Sequence, residues 1–414
     1  MGFQQGLSGL DAASKQLDVI GNNVANANTV GFKSSRAEFG DMYANSFYGV
    51  AATQPGIGVE TTAVAQQMTQ GNITTTNNEL DLAINNNGFF ILKANAANGG
   101  STNGTQEYTR NGEFNVDNAG YLVNGSDRLQ GWPATNGVVN QGPVGDLQLQ
   151  TSLISPKVTS NVAMGVNLDS RDAVPTNSPL NPTDPTTYNW SNSTSVYDSL
   201  GNPHNLTMYY VKGAAATSGT DWTATAYVDG VATGQTTSLN FNTSGALTNP
   251  TPPFSIAYTP STPNGSAQPI TLAVNYASST QYGQSSATNS LTNDGYAAGS
   301  LSSMSISPAG VIQASYTNGQ TNVIGQIALA DFTNEQGLQT LGNNRWQQTF
   351  SSGPAQLNAP GSGNAGTIRS SALESSNVDL TTELVNMITA QRYYQANSQT
   401  IKAQDTVMQT LVNL

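Results

Sequence analysis

The sequence contains no cysteine, one histidine and few charges, with Asp, Glu, Lys and Arg making up 9% of its 414 residues. Without cysteine there are no disulfides, no thiolate metal sites and no thiol nucleophile. One histidine cannot supply a multi-histidine metal site or more than one Ser-His-Asp triad, and no GxSxG motif accompanies it. The charges sum to −12, a balance that argues against nucleic acid or an anionic membrane as a partner. No run approaches the roughly eighteen apolar residues that would mark a bilayer span, so no membrane insertion is expected. The opening stretch MGFQQGLSGLDAASKQLDV lacks a basic region followed by an apolar one, so no cleaved secretory signal is expected there. Gly6 stands where N-myristoylation calls for Ser or Thr.

What fills the chain instead is Asn, Thr, Ser, Gln and Gly, a mix that suits β-rich domains whose many turns and surfaces are polar without being ionic. The length exceeds one ordinary core, so two or three domains are expected. The two ends read as helix. From Leu10 the apolar residues step by three and four through Ala13, Leu17, Ile20, Val24 and Ala27. Burying the four large ones yields about 1.5–3 kcal/mol each. Ordering the backbone costs on the order of 1–2 kcal/mol per residue, so this helix needs partners. The C-terminal end repeats every seven residues through Leu373, Leu380, Met387, Tyr394, Ile401 and Met408, beside a more polar seam of Leu384, Gln391, Ser398 and Asp405. Ser375 or Ser376 is the expected cap, with Asp379 and Glu383 near the positive end of the helix dipole. A polar second seam suits an assembly with several neighbours per helix, although an antiparallel pair on a globular domain has the same spacing.

Between the ends the signals are strands and tight turns. LDLAINNNGFFILK reads as strand, turn, strand, and YTRNGEFNVDNAGYLVNGSDRLQGW as strands joined through NVDNAG and NGSD turns. Thr317–Gln320 repeats the idea. The segment from Thr151 to Asn293, with HNLTMYYVK and DWTATAYVDG, reads as a further β domain inserted into the first, and PTNSPLNPTDPTT as a loop. The expected fold is mainly β with α-helical, coiled-coil termini, the two helices forming one layer and two β domains lying outward. Expected boundaries are 1–32 with 368–414 for the helical domain, 33–70 for a connector, 71–150 with 294–367 for the first β domain and 151–293 for the inserted one.

Three local patterns invite a chemical reading and do not sustain it. His204, in YDSLGNPHNL, follows a Gly-Asn-Pro turn and is expected to be solvated. GSGNAG, Gly361–Gly366, matches GxGxxG but lacks the preceding apolar strand, and reads as a link into the C-terminal helix. NVDNAGYLV has Asn115, Asp117 and Gly120 at calcium-loop spacing but Ser126 where a bidentate carboxylate belongs, so a hairpin turn is expected. No catalytic residue, cofactor or metal site is assigned, and an enzyme is not expected.

The distinctive feature is therefore the pair of apolar helical ends. SGLDAASKQLDVIGNNVANANTVGFKSS, Ser8–Ser35, and LESSNVDLTTELVNMITAQRYYQANSQTIKAQD, Leu373–Asp405, resemble the N- and C-terminal motifs of bacterial flagellar rod and hook axial proteins. LDLAINNNGFFIL and YTRNGEFNVDNAGYLV resemble a β domain shared within that family, and VYDSLGNPHNLTMYYVK, Val196–Lys212, the inserted domain of its hook members. The resemblance implies a homopolymer: a curved, hollow helical tube outside the cell, acting as a universal joint that passes torque from rod to filament. It implies rod, hook cap and hook–filament junction proteins and the flagellar export apparatus as partners, with export without a cleaved signal. Distal rod or junction members are the alternative within the family, and a secreted β-rich adhesin the alternative outside it. Polymerisation is expected through Leu10, Leu17, Ile20, Asn23, Val24 and Asn26 of the first helix and Leu380, Leu384, Met387, Tyr394, Ile401 and Met408 of the last. In GNNVANANTVGFKSS, the amides of Asn23 and Asn26 are expected to exchange contacts with a neighbouring subunit, or else to cap their own helix.

Overall fold

The structure, a computed structural model, describes residues 2–42, 56–94, 105–149, 153–216, 219–249, 253–259, 265–267 and 269–412. It is mainly β, with one helix at each end: α1, Gly2–Ala25, and α2, Leu380–Val412. The chain divides into two compact units, one of Met1–Gln150, Ser303–Ser315 and Thr321–Leu414, the other of Thr151–Ser302 and Tyr316–Gln320. The inserted unit thus runs on past Asn293 to Ser302 and takes in the expected turn at Thr317–Gln320.

In the first unit the central sheet is antiparallel and built around Phe89–Lys93, which pairs with Gln106–Thr109 on one side and Asp127–Thr135 on the other. Phe89, Phe90, Ile91 and Leu92 are all buried, so this strand is covered on both faces instead of alternating. On one face Phe89 meets the edges of Phe332 and Trp346 at 5.9 and 5.5 Å between ring centroids, and on the other Phe90 meets Phe114 at 5.1 Å. Offset and edge-on rings of this kind add about 0.5–1.5 kcal/mol each beyond their burial.

LDLAINNNGFFILK does form two strands around a turn with positive φ at Asn86 and Gly88. The strands do not pair with each other. Leu82–Asn85 pairs with Thr367–Ser370, and Ala372–Glu374 pairs with Ile73–Thr75. Leu373 therefore lies in a strand and not on the last helix, and Thr367–Ser370 and Ala372–Glu374, assigned from sequence to the helical domain from 368 onward, are strands. Gly361–Gly366 accordingly leads into the strand Thr367–Ser370 and not into a helix. The NVDNAG segment is a hairpin turn in which Asp117 Oδ1 accepts from the backbone N–H groups of Ala119 and Tyr121.

The second unit packs a five-stranded sheet, Trp190–Tyr197, Pro203–Ala216, Gly219–Val228, Val231–Phe241 and Leu247–Asn249, with a four-stranded one of Phe254–Tyr258, Ile270–Asn275, Asn161–Asn167 and Ala287–Asn293. Strict alternation drives the packing: Trp222, Ala224, Ala226 and Val228 point into the core while Asp221 and Thr223 face water. Between Asp229 and Asp331 the sequence carries a single ionic side chain, Asp294, so the outer faces of these later strands are Ser, Thr, Asn and Gln. His204 is not solvated as expected. Its side chain is 10% exposed, with Nδ1 2.7 Å from Asp229 Oδ2 and Nε2 3.7 Å from Asp198 Oδ2, tying two turns together.

Candidate functional site

The two helices lie antiparallel. A Cβ added at Gly6 would stand 3.0 Å from Ile401 Cγ1, and one at Gly9 2.9 Å from the Asn397 amide, so small residues let the backbones approach closely. Ala13, Val19, Ile20 and Asn23 of α1 are buried, and Leu10, Leu17, Val24 and Asn26 half-buried. A hairpin, Ser35–Met42 with Gly58–Gln66, runs alongside, with Ser8 Oγ accepting from Val59 N–H at 3.3 Å. Phe3 and Leu7 stay exposed.

The burial of α2 is inverted. Glu383, Met387, Ala390, Asn397, Ser398, Ile401 and Gln404 are its covered or half-covered residues. Leu380, Leu384, Val385, Ile388, Tyr393, Tyr394, Val407 and Met408 are exposed. Of the heptad residues expected to act together, Met387 and Ile401 are half-buried within the chain while Leu380, Leu384, Tyr394 and Met408 face outward. At about 1.5 Å per residue α2 is about 50 Å long against about 36 Å for α1, so its last turns outrun their partner. Its cap is Asp379 and not Ser375 or Ser376. Asp379 Oδ1 accepts from Thr381 N–H at 2.9 Å and Thr382 N–H at 3.3 Å, and these backbone donors hold its carboxyl below the usual range.

The asparagines are engaged within the chain. Asn23 pairs with Ser35 as one strand pairs with another, its Nδ2 donating to Ser35 O at 2.8 Å and its Oδ1 accepting Ser35 N–H at 2.9 Å. Nδ2 also reaches Glu383 Oε1 at 3.3 Å, which links the end of α1 to the start of α2. Asn26 Nδ2 donates to Asn22 O, and its Oδ1 accepts from Thr29 Oγ1, closing its own helix. Asn23→Leu would strand the Ser35 backbone groups beside a buried apolar side chain. The expected cost is about 1–3 kcal/mol, read as a lower thermal midpoint and faster proteolysis near Ser35. A midpoint within a degree of the parent would contradict this role.

Below the helices lies a root that the sequence reading missed. Glu374 is fully buried. Its Oε1 accepts from Lys33 Nζ at 2.7 Å and Gly71 N–H at 2.8 Å, its Oε2 from Arg110 Nη1 at 3.3 Å, and its backbone carbonyl from Gly31 N–H at 2.8 Å. Lys33 also donates to Thr69 O at 2.8 Å, and the Arg110 guanidinium lies 5.1 Å over the Phe89 ring. Burial pulls Lys33 below the usual lysine value, with Glu374 opposing it. Gly31 and Gly71 are required here. Gly31 has φ +70° with Asn111 N 2.7 Å from any added Cβ, and at Gly71 a Cβ would collide with the Ser375 carbonyl. Asn377 completes the root, accepting from Ser34 N–H at 2.7 Å and donating to Gln67 O at 2.7 Å. Nothing local in the sequence marks these residues, because Lys33, Gly71 and Arg110 lie 341, 303 and 264 positions from Glu374.

Among the described residues no group of three or more His, Cys, Asp or Glu is placed to hold a metal ion, and no helix is long and apolar enough to cross a membrane.

Comparison with known proteins matches four segments in order. Residues 3–33 match the flagella basal body rod protein family, 83–152 the flagellar hook protein FlgE/F/G D1 domain, 167–296 the flagellar basal body protein FlaE D2 domain, and 369–414 the flagellar basal body rod FlgEFG protein C-terminal family. The flagellar hook protein FlgE of Escherichia coli K12 is 41% identical over 426 aligned positions that cover all of both chains. That of Borreliella burgdorferi is 34% identical over 99% of this chain and 98% of its own. The crystal structure of Helicobacter pylori flagellar hook protein FlgE2 superposes with a TM-score of 0.55 over 73% of this chain and all of its own, at 16% identity, a likeness of fold. Identity at this level along the entire length, with four family models matched in order, means that the chain belongs to the flagellar hook protein family.

Proposed function

We propose that this chain is the structural subunit of a flagellar hook, and that it polymerises through the outward faces of its terminal helices. The observation that carries the proposal is the burial pattern of α2: Glu383, Ala390, Asn397, Ser398 and Gln404 are covered or half-covered beside Met387 and Ile401, while Leu380, Leu384, Val385, Ile388, Tyr393, Tyr394, Val407 and Met408 stand in water. A lone helix pair gains nothing from that arrangement, whereas neighbouring copies would bury Phe3, Leu7, Leu380, Leu384, Val385 and Ile388. The first unit carries the helices on a root of buried ion pairs, and the second offers polar, weakly charged β surfaces that slip past one another at low cost as a curved tube turns. On this reading the subunit sits outside the cell in the hook, has no catalytic task, and meets rod, cap and junction proteins at the tube ends and the export apparatus on its way out.

The test is electron microscopy of the purified chain before and after concentration in salt, beside a variant lacking residues 2–25 and 380–412. Keeping 367–379 preserves the strands and the Glu374 root. Curved tubes from the intact chain and monomers from the truncated one are expected. Straight tubes would favour a rod-type role, and discrete particles from both would overturn polymerisation through the helices.

A further inference from the structure

Phe350 is the most exposed large apolar residue among those described, at 103% of its reference accessibility. It does not hang on a loose loop. Thr349 N–H donates to Ser352 Oγ at 2.9 Å, Ser352 Oγ donates back to Thr349 O at 2.9 Å, and Ser351 N–H donates to Thr349 Oγ1 at 3.1 Å. The turn is bolted to the body of the first unit. Thr349 Oγ1 donates to Gly337 O at 2.6 Å, Asn334 Nδ2 donates to Ser351 O at 3.1 Å, and Ser352 is fully buried. Contact is so close that a Cβ on Gly337 would lie 2.5 Å from Ser351 C and Ser352 N. These bonds fix the backbone of the turn, and from it the Phe350 ring projects outward into solvent.

The surroundings say what the ring faces. From Trp346 through Ile368, between Arg345 and Arg369, no side chain is ionic. That neutral run belongs to a chain of net charge −12. A basic partner would be recognised by carboxylates, and an acidic one by lysine or arginine; the turn itself carries neither, and Glu335, on the 3-10 turn that receives it, is half-buried. The partner that a strongly acidic chain can approach only through a neutral patch is another copy of itself, and a ring carried on a fixed backbone leaves only its own side-chain torsions to be ordered on contact.

We propose that Phe350 is a self-assembly contact of the first unit, docking its ring on an uncharged surface of a second copy, separately from the helix contacts. This rests on the polymer reading above. The experiment replaces Phe350 with the photo-crosslinker p-benzoylphenylalanine in the full-length chain, polymerises it and illuminates it. Covalent dimers and higher multiples on a denaturing gel are expected. A second variant, Phe350→Ser, is expected to raise the critical concentration for polymerisation about tenfold while leaving the monomer's thermal midpoint unchanged. Tubes that form normally but yield only monomer after illumination would overturn the Phe350 contact and leave the polymer reading standing. If the parent chain forms no polymer, both fall.

Discussion

Glu374→Ala is expected to destabilise the first unit by about 3–5 kcal/mol, because it leaves two buried cations without their counter-charge. Lys33 and Arg110 are almost completely covered, at 1% and 3% side-chain exposure. Removing the carboxylate also orphans the Gly71 N–H. For a unit of this size the shift corresponds to a thermal midpoint lower by roughly 6–20 °C, measured by calorimetry on the monomer. The informative companion is the triple change Lys33→Met, Arg110→Met, Glu374→Leu. Replacing a whole buried ionic group by apolar side chains is often neutral or stabilising, so this variant is expected to recover most of the loss. A small effect of Glu374→Ala, under 1 kcal/mol, would mean that water reaches the root and that the triad does not hold the helices to the β domain.

The second large effect is on assembly and not on stability. Leu384→Asp combined with Ile388→Asp is expected to abolish tubes while changing monomer stability by less than about 1 kcal/mol. Both side chains are half in water in the single chain, at 50% and 52% exposure, and surface changes of this kind usually fall within about 0.5 kcal/mol each. In a polymer each copy would have to bury two new carboxylates without partners. Sedimentation velocity and electron microscopy give the assembly state, and circular dichroism the helix content. Normal tubes from the double variant would mean that this face of α2 stays wet in the polymer, and that the self-association surface lies elsewhere.

The helices at both ends, the β-rich middle and its inserted unit were legible because each rests on local periodicity: steps of three and four at Leu10–Ala27, alternation in DWTATAYV, Asn-Gly turns between strands. Which way a helix faces was not. Leu380, Met387, Tyr394 and Ile401 share one heptad position, yet Met387 and Ile401 are half-buried within the chain while Leu380 and Tyr394 are exposed. A heptad records that a position is apolar, not who covers it. Leu373 misled for a related reason. It continues the heptad by coincidence, while the residue beside it, Glu374, belongs in a strand because its carboxylate must reach Lys33 and Arg110. The asparagines of α1 signalled a helix end correctly. Their partners Ser35 and Glu383 are set by the tertiary fold, and a single sequence does not reveal such distant pairs.

The lack of ionic side chains between Asp229 and Asp331, Asp294 aside, has a bearing on where such a chain can work. Anything outside a cell meets whatever water surrounds it, from dilute to brine. Across that range the distance over which charges feel one another falls from about 30 Å at 0.01 M salt to about 3 Å at 1 M. Faces built from carboxylates and amines would tighten or loosen with each change of salinity. Faces built from hydroxyls and amides keep the same grip, so any contact made through the second unit's later strands is insulated from the salinity of the medium.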